Sequence, residues 1–342
     1  MNSTMRAAIL KDVNEYEVVS VPVPEIKEPD EVLIKVLVCS ICGTDVSFTR
    51  NPNSVGYGDM RGKILGHEIV GEIVEVGSGV TGLQVGQQVV VNPNSYCCKC
   101  ASCRSGYRNH CENMELMGIT VPGGFAEYVK SKEFLTFPIS RDVPLHHAAF
   151  AEPLSCAMNG FSRLDITPGD TCVVFGCGPI GLMFAQLARR NGARVACIEP
   201  TPGRQAVAKQ LGFDVYAPGR DVINTLVEKW GRRANYCIDA AGGQLGVALA
   251  WLEYRGTVLC FAGTSSVEND LANIQGKEAN IKGSFIINDS MPKAITVLEN
   301  GYLDLDPMVT HYLGLEDIAK GVDLMKSGEG MEIIIEIAQE GK

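Results

Sequence analysis

Residues 171–199 carry the feature that most restricts what this chain can fold into: an apolar run (TCVVF), a glycine loop (GCGPIG), an amphipathic stretch (LMFAQLARR) and a second apolar run (ARVACIEP). A short apolar strand followed by a helix of this length and a further apolar strand is a parallel crossover unit. Gly176, Gly178 and Gly181 fall in the spacing G-x-G-x-x-G. The first glycine permits a tight turn, the second lets a pyrophosphate approach the backbone, and the third lets helix and strand pack closely. Such a motif alone is weak evidence, but here it follows a strand, opens a helix at Pro179 and Ile180, and precedes a strand ending in Glu199 about 20 residues on. Gly176, Gly178, Pro179, Ile180 and Gly181 are therefore candidates for binding a dinucleotide, with the helix N-terminus attracting the phosphates. An acidic residue at Glu199 would bond the adenosine ribose hydroxyls and repel a 2′-phosphate, which favours NAD over NADP. Arg204, nearby, is the feature that pulls the other way.

The same rhythm continues through GRQAVAKQLG, YCIDA, TVLCFAG and NIKGSFI, so this region predicts a doubly wound parallel sheet. Upstream, from Met5 to about Phe137, short β-rich runs such as EVLIKVLV and QQVVVNP alternate with Gly, Pro, Asn and Asp clusters, which predicts strand and loop. Near Asn288 the rhythm stops, and the tail predicts one helix (LEDIAKGVDLMKSG) and one strand (EIIIEIA). The expected division is a β-rich domain of residues 1–154 and 288–342 and a doubly wound domain of residues 155–287, an α/β protein whose 342 residues suffice for two cores.

A net charge of −10 and a pI near 5.1 exclude nucleic acid and anionic membrane as partners on electrostatic grounds and leave small molecules. The N-terminus has no long apolar stretch and no later segment approaches the roughly 20 apolar residues of a membrane span, so the expected location is cytoplasmic. The 13 cysteines are read with that location: disulfides are disfavoured and reduced thiols expected. Cys39, Cys156, Cys172, Cys197, Cys237 and Cys260 stand singly among apolar residues and read as core filler.

Cys97, Cys100, Cys103 and Cys111 form C-x2-C-x2-C-x7-C. A folded loop of this spacing brings four thiolates to the corners of a tetrahedron around Zn²⁺, leaving no position for substrate, so the expected role is structural. Cys98 is out of register and reads as a bystander. Iron–sulfur ligation is the competing metal chemistry. Further upstream, CSICGTDVS and LGHEIVGEIVEVG supply Cys42, His67 and Glu68: one thiolate, one imidazole and one carboxylate, the ligand mix of a zinc that keeps a position open. Taken singly, each has an ordinary structural explanation; the combination points to catalysis.

Through the C-G-T-D run at Cys42 to Asp45, G-H-E at Gly66 to Glu68, the four-cysteine lobe and the glycine loop, the chain resembles the zinc-containing medium-chain dehydrogenase family over nearly its whole length. That resemblance implies a GroES-like catalytic domain beside a Rossmann domain, a catalytic and a structural zinc, and NAD. AEPLSCAMNG resembles the polyol and sugar-acid branch and makes Glu152 a further candidate ligand, exchanging with Glu68. It implies that Thr44 hydrogen-bonds the reacting alcohol and takes its proton, and that Asp45 orients His67. Two departures stand out. Ser47 occupies a position where the family often has a histidine ending the proton relay, and Glu332 stands where relatives often carry a lysine or arginine that reaches the cofactor phosphates, which leaves a shifted register or a weaker cofactor hold.

The chemistry so implied is reversible oxidation of a secondary alcohol to a ketone, in a pocket expected between the two domains. Ser47, Phe48, Arg50, Tyr57 and Phe285 are candidates for lining it, and an inward-facing Arg50 would bind an acidic substrate; a solvated surface arginine is the simpler expectation. His146 and His147 read as helix-start or surface residues. Threonine and bulky, steroid-like alcohols are the alternative substrates, and an NAD- and zinc-binding sensor the non-enzymatic alternative. The resemblance also implies a homo-oligomer, dimeric or tetrameric.

Overall fold

A computed structural model describes residues 3–54, 56–263 and 271–337. The chain divides into two compact units, Met1–Ser155 with Ile287–Lys342, and Cys156–Ile286.

The second unit is built on six parallel strands ordered Asp214–Tyr216, Arg194–Ile198, Thr171–Phe175, Ala234–Asp239, Leu252–Cys260 and Asn280–Gly283. Numbered by chain position this order is 3-2-1-4-5-6, the doubly wound arrangement whose direction reverses between the first strand and the fourth. Every residue of Thr171–Phe175 is buried, as expected of a strand covered on both faces. The helix Pro179–Arg190 buries Gly181 through Ala188 in an unbroken run. Its Gly181 has a strict reason to be glycine: a Cβ there would lie 1.9 Å from the Gly176 carbonyl oxygen.

The first unit contains a seven-stranded sheet. Its path runs Val309–Gly314, Glu332–Glu336, Glu31–Ser40, Glu68–Val76, Gln88–Val91 and Thr136–Pro138, with Tyr128–Lys132 also paired to Glu31–Ser40. Val309–Gly314 and Glu332–Glu336 are parallel and the other pairings antiparallel. A core that includes Ile34, Val36, Ile69, Phe125, Val322 and Ile333 fills it.

The tail is richer than expected. Beyond the expected helix, observed at Ile318–Ser327, and the strand Glu332–Glu336, it holds a helix at Met291–Glu299 and the strand Val309–Gly314. The helix buries Met291, Ala294, Ile295 and Leu298 at helical spacing but is only nine residues long and has proline in its first turn. The strand reads VTHYLG, is partly exposed throughout, and owes its state to pairing with Glu332–Glu336. Both signals are too short or too mixed for local pattern to carry.

Candidate active site

Three strand ends place the candidate metal cluster. In the antiparallel register Ser40 faces Glu68 on one side and Ile334 on the other, so the exit of Glu31–Ser40, the start of Glu68–Val76 and the start of Glu332–Glu336 meet. Cys42 follows directly as the cap of the helix Gly43–Arg50. His67 precedes Glu68 through Gly66, whose φ of +88° and a Cβ position 2.7 Å from the Phe125 ring leave no room for a side chain.

The donor atoms of Cys42, His67 and Glu68 lie within 4.8 Å of one another. Asp45 sits beneath them, accepting hydrogen bonds from the Cys42 amide at 3.0 Å and the Gly66 amide at 3.3 Å. Its Oδ1 is 3.8 Å from His67 Nδ1, a buried atom with no hydrogen-bond partner among the described residues. Ser40 donates its hydroxyl to Glu68. Glu152, in the first turn of the helix Ala151–Phe161, is buried and acts electrostatically on Cys42, His67 and Glu68, although it stands outside the tight trio.

Electrostatics show what this cluster is suited to hold. Burial, with Glu152 adding to it, pushes the Glu68 carboxyl up to about 7. Burial also raises Asp45, and burial with Glu68, Asp45 and Glu152 drives the Cys42 thiol far up. For His67, burial alone would lower the pKa, yet the carboxylates of Asp45, Glu152 and Glu68 more than offset it and the imidazole is raised. At Cys42, His67 and Glu68 the neighbouring carboxylates push in the direction expected of surplus negative charge, whereas Asp45 is raised by burial alone. Two like charges about 5 Å apart at an effective dielectric near 20 repel by about 3 kcal/mol, a large share of the roughly 5–15 kcal/mol that holds a domain together. A divalent cation removes the conflict, and a thiolate, an imidazole and a carboxylate at this spacing are the donors zinc takes with a position left open.

Glu332 belongs to the same neighbourhood. It is 2% exposed, its Oε1 has no hydrogen-bond partner among the described residues, and burial together with Glu68 raises it well above the ordinary carboxyl range. Its strand pairs in register with Glu31–Ser40, so the unexpected acid at this position is a neighbour of the metal cluster. Sequence spacing could not disclose this, because Glu332 reaches the site only through sheet pairing.

Of the pocket-lining candidates, Phe48 is a core residue with the Tyr57 ring edge-on at 5.8 Å. Thr44 is half-buried and its amide bonds the Cys42 sulfur, while Ser47 and Arg50 are exposed. Arg50 ends its helix, where a cation complements the terminal carbonyls. Tyr57 and Phe285 are also exposed.

The four-cysteine loop is a separate centre. The sulfurs of Cys97, Cys100, Cys103 and Cys111 lie within 4.8 Å of one another. Backbone amides point at them: Lys99 and Cys100 donate to Cys97 at 3.4 and 3.3 Å, Cys103 to Cys100 at 3.5 Å, and Cys97 and Asn113 to Cys111 at 3.3 Å. The first two bonds bring the Cys97 thiol down to about 6 and the Cys103 amide lowers Cys100, so the backbone favours thiolates at these two positions, whereas burial pushes the Cys103 thiol up to about 12. Cys98 is exposed at φ +57°, outside the group. All 13 cysteines are free, including the buried Cys39, Cys172, Cys197 and Cys237.

In the second unit, Gly176 (φ +94°) turns the chain at the end of Thr171–Phe175, and Gly178 caps the helix that begins at Pro179. No atom lies within 4 Å of a Cβ built on Gly178, which leaves that face open to a ligand. Glu199 is buried, accepting from the Cys177 amide at 2.7 Å and the Thr201 amide at 2.8 Å, and so braces the glycine loop from the next strand. The half-buried Arg204 has a buried Nε with no partner among the described residues. Asp239, not singled out from the sequence, ends the neighbouring strand and accepts amides from Ala241, Gly242 and Gln244 at 3.2, 2.7 and 2.8 Å, shaping the other wall of the switch point. An acid at a strand end before a Gly-Gly pair was the available signal.

Two family descriptions match: the alcohol dehydrogenase GroES-like domain over residues 28–141 and zinc-binding dehydrogenase over residues 179–300. The chain is 32% identical to D-arabinitol dehydrogenase 1 of Uromyces fabae over 97% of each chain. Among solved structures it is similar to a zinc-binding dehydrogenase from Sinorhizobium meliloti 1021 bound to NADP (TM-score 0.87, 28% identity, 98% of this chain and 99% of that one). It is also similar to an alcohol dehydrogenase from Escherichia coli CFT073 complexed with NADH (TM-score 0.90, 25% identity, 98% and 100%). A thiol–imidazole–carboxylate cluster, a four-cysteine loop and a glycine loop at the switch point of a doubly wound sheet thus occur in a chain that belongs to the zinc-binding alcohol dehydrogenase family, oxidoreductases acting on CH–OH donors.

Proposed function

We propose that this chain oxidises a secondary alcohol of a polyol or sugar acid to the ketone, with NAD as acceptor, one catalytic zinc and one structural zinc. The convergence of Cys42, His67 and Glu68 in a buried, over-acidic cluster carries this reading. Cys42, His67 and Glu68 would hold the catalytic ion, with Glu152 exchanging for Glu68, and Cys97, Cys100, Cys103 and Cys111 the structural one. When bound, zinc supplies the Lewis acidity that lets an alcohol ionise near neutral pH, and the nicotinamide supplies the hydride acceptor.

The protein's own residues do the rest. Asp45, 3.8 Å from His67 Nδ1, would orient the imidazole, and Ser40 holds Glu68 in place. Thr44 accepts the substrate's hydrogen bond and passes its proton on. Ser47, exposed beyond Thr44 on the same helix, can relay a proton but cannot store one near neutral pH, so it would hand the proton on to solvent. Gly176, Gly178, Pro179, Ile180 and Gly181 would receive the pyrophosphate on open backbone and a helix N-terminus, and Glu199 and Arg204 would stand on the adenosine side. The acidic Glu199 supports NAD even though one structural relative carries NADP. The β-rich unit then serves as the catalytic domain and the doubly wound unit as the cofactor domain. The family resemblance supports a cytoplasmic dimer or tetramer; among the described residues no helix is long and apolar enough to cross a membrane.

The test is reduction of NAD⁺ and NADP⁺, followed by absorbance, against polyols, sugar acids, threonine and hydrophobic secondary alcohols, with and without a chelator. Chelator-sensitive NAD⁺ reduction confined to polyols or sugar acids is the expected result. Equal rates with chelated protein, or activity only on threonine or hydrophobic alcohols, would overturn the proposal.

A further inference from the structure

We propose that His146, His147 and Asp306 form a third, exchangeable site for a borderline divalent cation of the zinc, copper(II) or nickel class, apart from both clusters described above. The two histidines lie on the four-residue helix Leu145–Ala148, and Asp306 opens the 3-10 turn Asp306–Met308, so the site ties together segments remote in sequence within one unit.

Consecutive residues on a helix project about 100° apart and do not ordinarily meet at one point. Here they do: His147 Nε2 is 2.6 Å and His146 Nε2 3.3 Å from the same atom, Asp306 Oδ1, with the two rings edge to face at 4.4 Å. The three donor atoms all lie within 4.8 Å of one another. Donors around a tetrahedral ion with bonds of about 2.1 Å stand about 3.4 Å apart. The His146–Asp306 separation therefore already fits, and the His147–Asp306 separation needs to open by less than an ångström.

Chemistry selects the ion. Two imidazoles and one carboxylate suit zinc, copper(II) and nickel, and offer too few oxygens for calcium or magnesium. Without an ion the ring nitrogens facing Asp306 are satisfied by hydrogen bonding to it, which holds the Asp306 carboxyl below its usual range. On binding, each neutral imidazole carries its proton on Nδ1 and presents the Nε2 lone pair, while Asp306 exchanges those hydrogen bonds for the metal; nothing is oxidised or reduced. Asp306 is largely exposed and both rings are partly so, hence an ion can enter from solvent and water can complete its coordination.

The experiment is copper(II) titration of protein carrying two equivalents of zinc per chain and dialysed free of exchangeable metal, with bound zinc measured in parallel and copper followed by electron paramagnetic resonance. One equivalent of copper should bind without displacing zinc and show splitting from two nitrogens. His147→Ala should leave one nitrogen and weaken binding at least tenfold, and the His146→Ala/His147→Ala variant should lose the equivalent with its zinc content and melting curve unchanged. Asp306→Asn keeps both imidazoles and should retain two-nitrogen splitting at weaker affinity. Copper gained only as zinc is lost, an unaltered equivalent in the double variant, or full affinity in Asp306→Asn would each overturn the proposal.

Discussion

The four-cysteine loop and the Cys42–His67–Glu68 cluster lie in the same compact unit and offer metal ligands in opposite ways. The first is encoded within Cys97 to Cys111, uses four identical soft donors, and has the sulfurs of Cys97, Cys100 and Cys111 bonded by local amides. The second gathers residues from position 42 to position 332, mixes three donor types, and crowds Asp45, Glu68, Glu152 and Glu332 into a buried space that their charges oppose. A closed centre needs only a pre-arranged loop. An open one, gathered from remote segments, must be held by the sheet against its own repulsion.

Four outcomes would break or sharpen this contrast. The largest concerns His67→Ala, expected to lower kcat/KM by at least about 10³-fold, the scale of losing several kcal/mol of metal-derived stabilisation. Metal analysis should show the loop's ion retained, and loss of both ions together would mean the two centres are not independent. Next, Cys103→Ala should release the loop's ion and depress the thermal midpoint by several degrees while protein that stays folded keeps most of its kcat; a kcat loss matching that of His67→Ala would end the assignment of the loop to structure.

The third outcome is a pH dependence. Glu68 is raised from 4.5 to about 7, and Asp45, His67 and Glu332 are raised too. A group raised on folding favours the native state while it holds its proton and stops doing so as pH climbs through its folded value. Chelated protein should therefore lose thermal stability between about pH 5 and pH 8. Zinc-replete protein should be nearly flat there, and Glu332→Gln should remove part of the apo slope. Apo stability that rises over this window would contradict the electrostatic account. The smallest effect is expected of Cys98→Ser, which should leave metal content and melting within error; a lost ion would put Cys98 among the ligands.

Local signals carried much of the molecule. The glycine loop, its flanking strands and the crossover helices were legible because each element is a contiguous pattern with its own period, and the loop cysteines because their spacing is itself the geometry. Cys42, His67 and Glu68 were legible as residue types, their meeting only through family resemblance. The strand Val309–Gly314 was not legible, since six half-exposed residues become a strand only when Glu332–Glu336 lies beside them.

Glu332 and Asp306 mark the boundary most clearly. As letters, one is an acid in an apolar strand and the other an acid before a proline. Sheet register carries Glu332 into the metal cluster, and chain return carries Asp306 to His146 and His147. The sequence by itself determined the doubly wound sheet, the glycine loop and the four-cysteine centre, because hydrophobic period and close spacing act over a few residues. Only the tertiary structure decided which acids share a buried volume, because repulsion and desolvation depend on distances in space that pairing between remote strands sets.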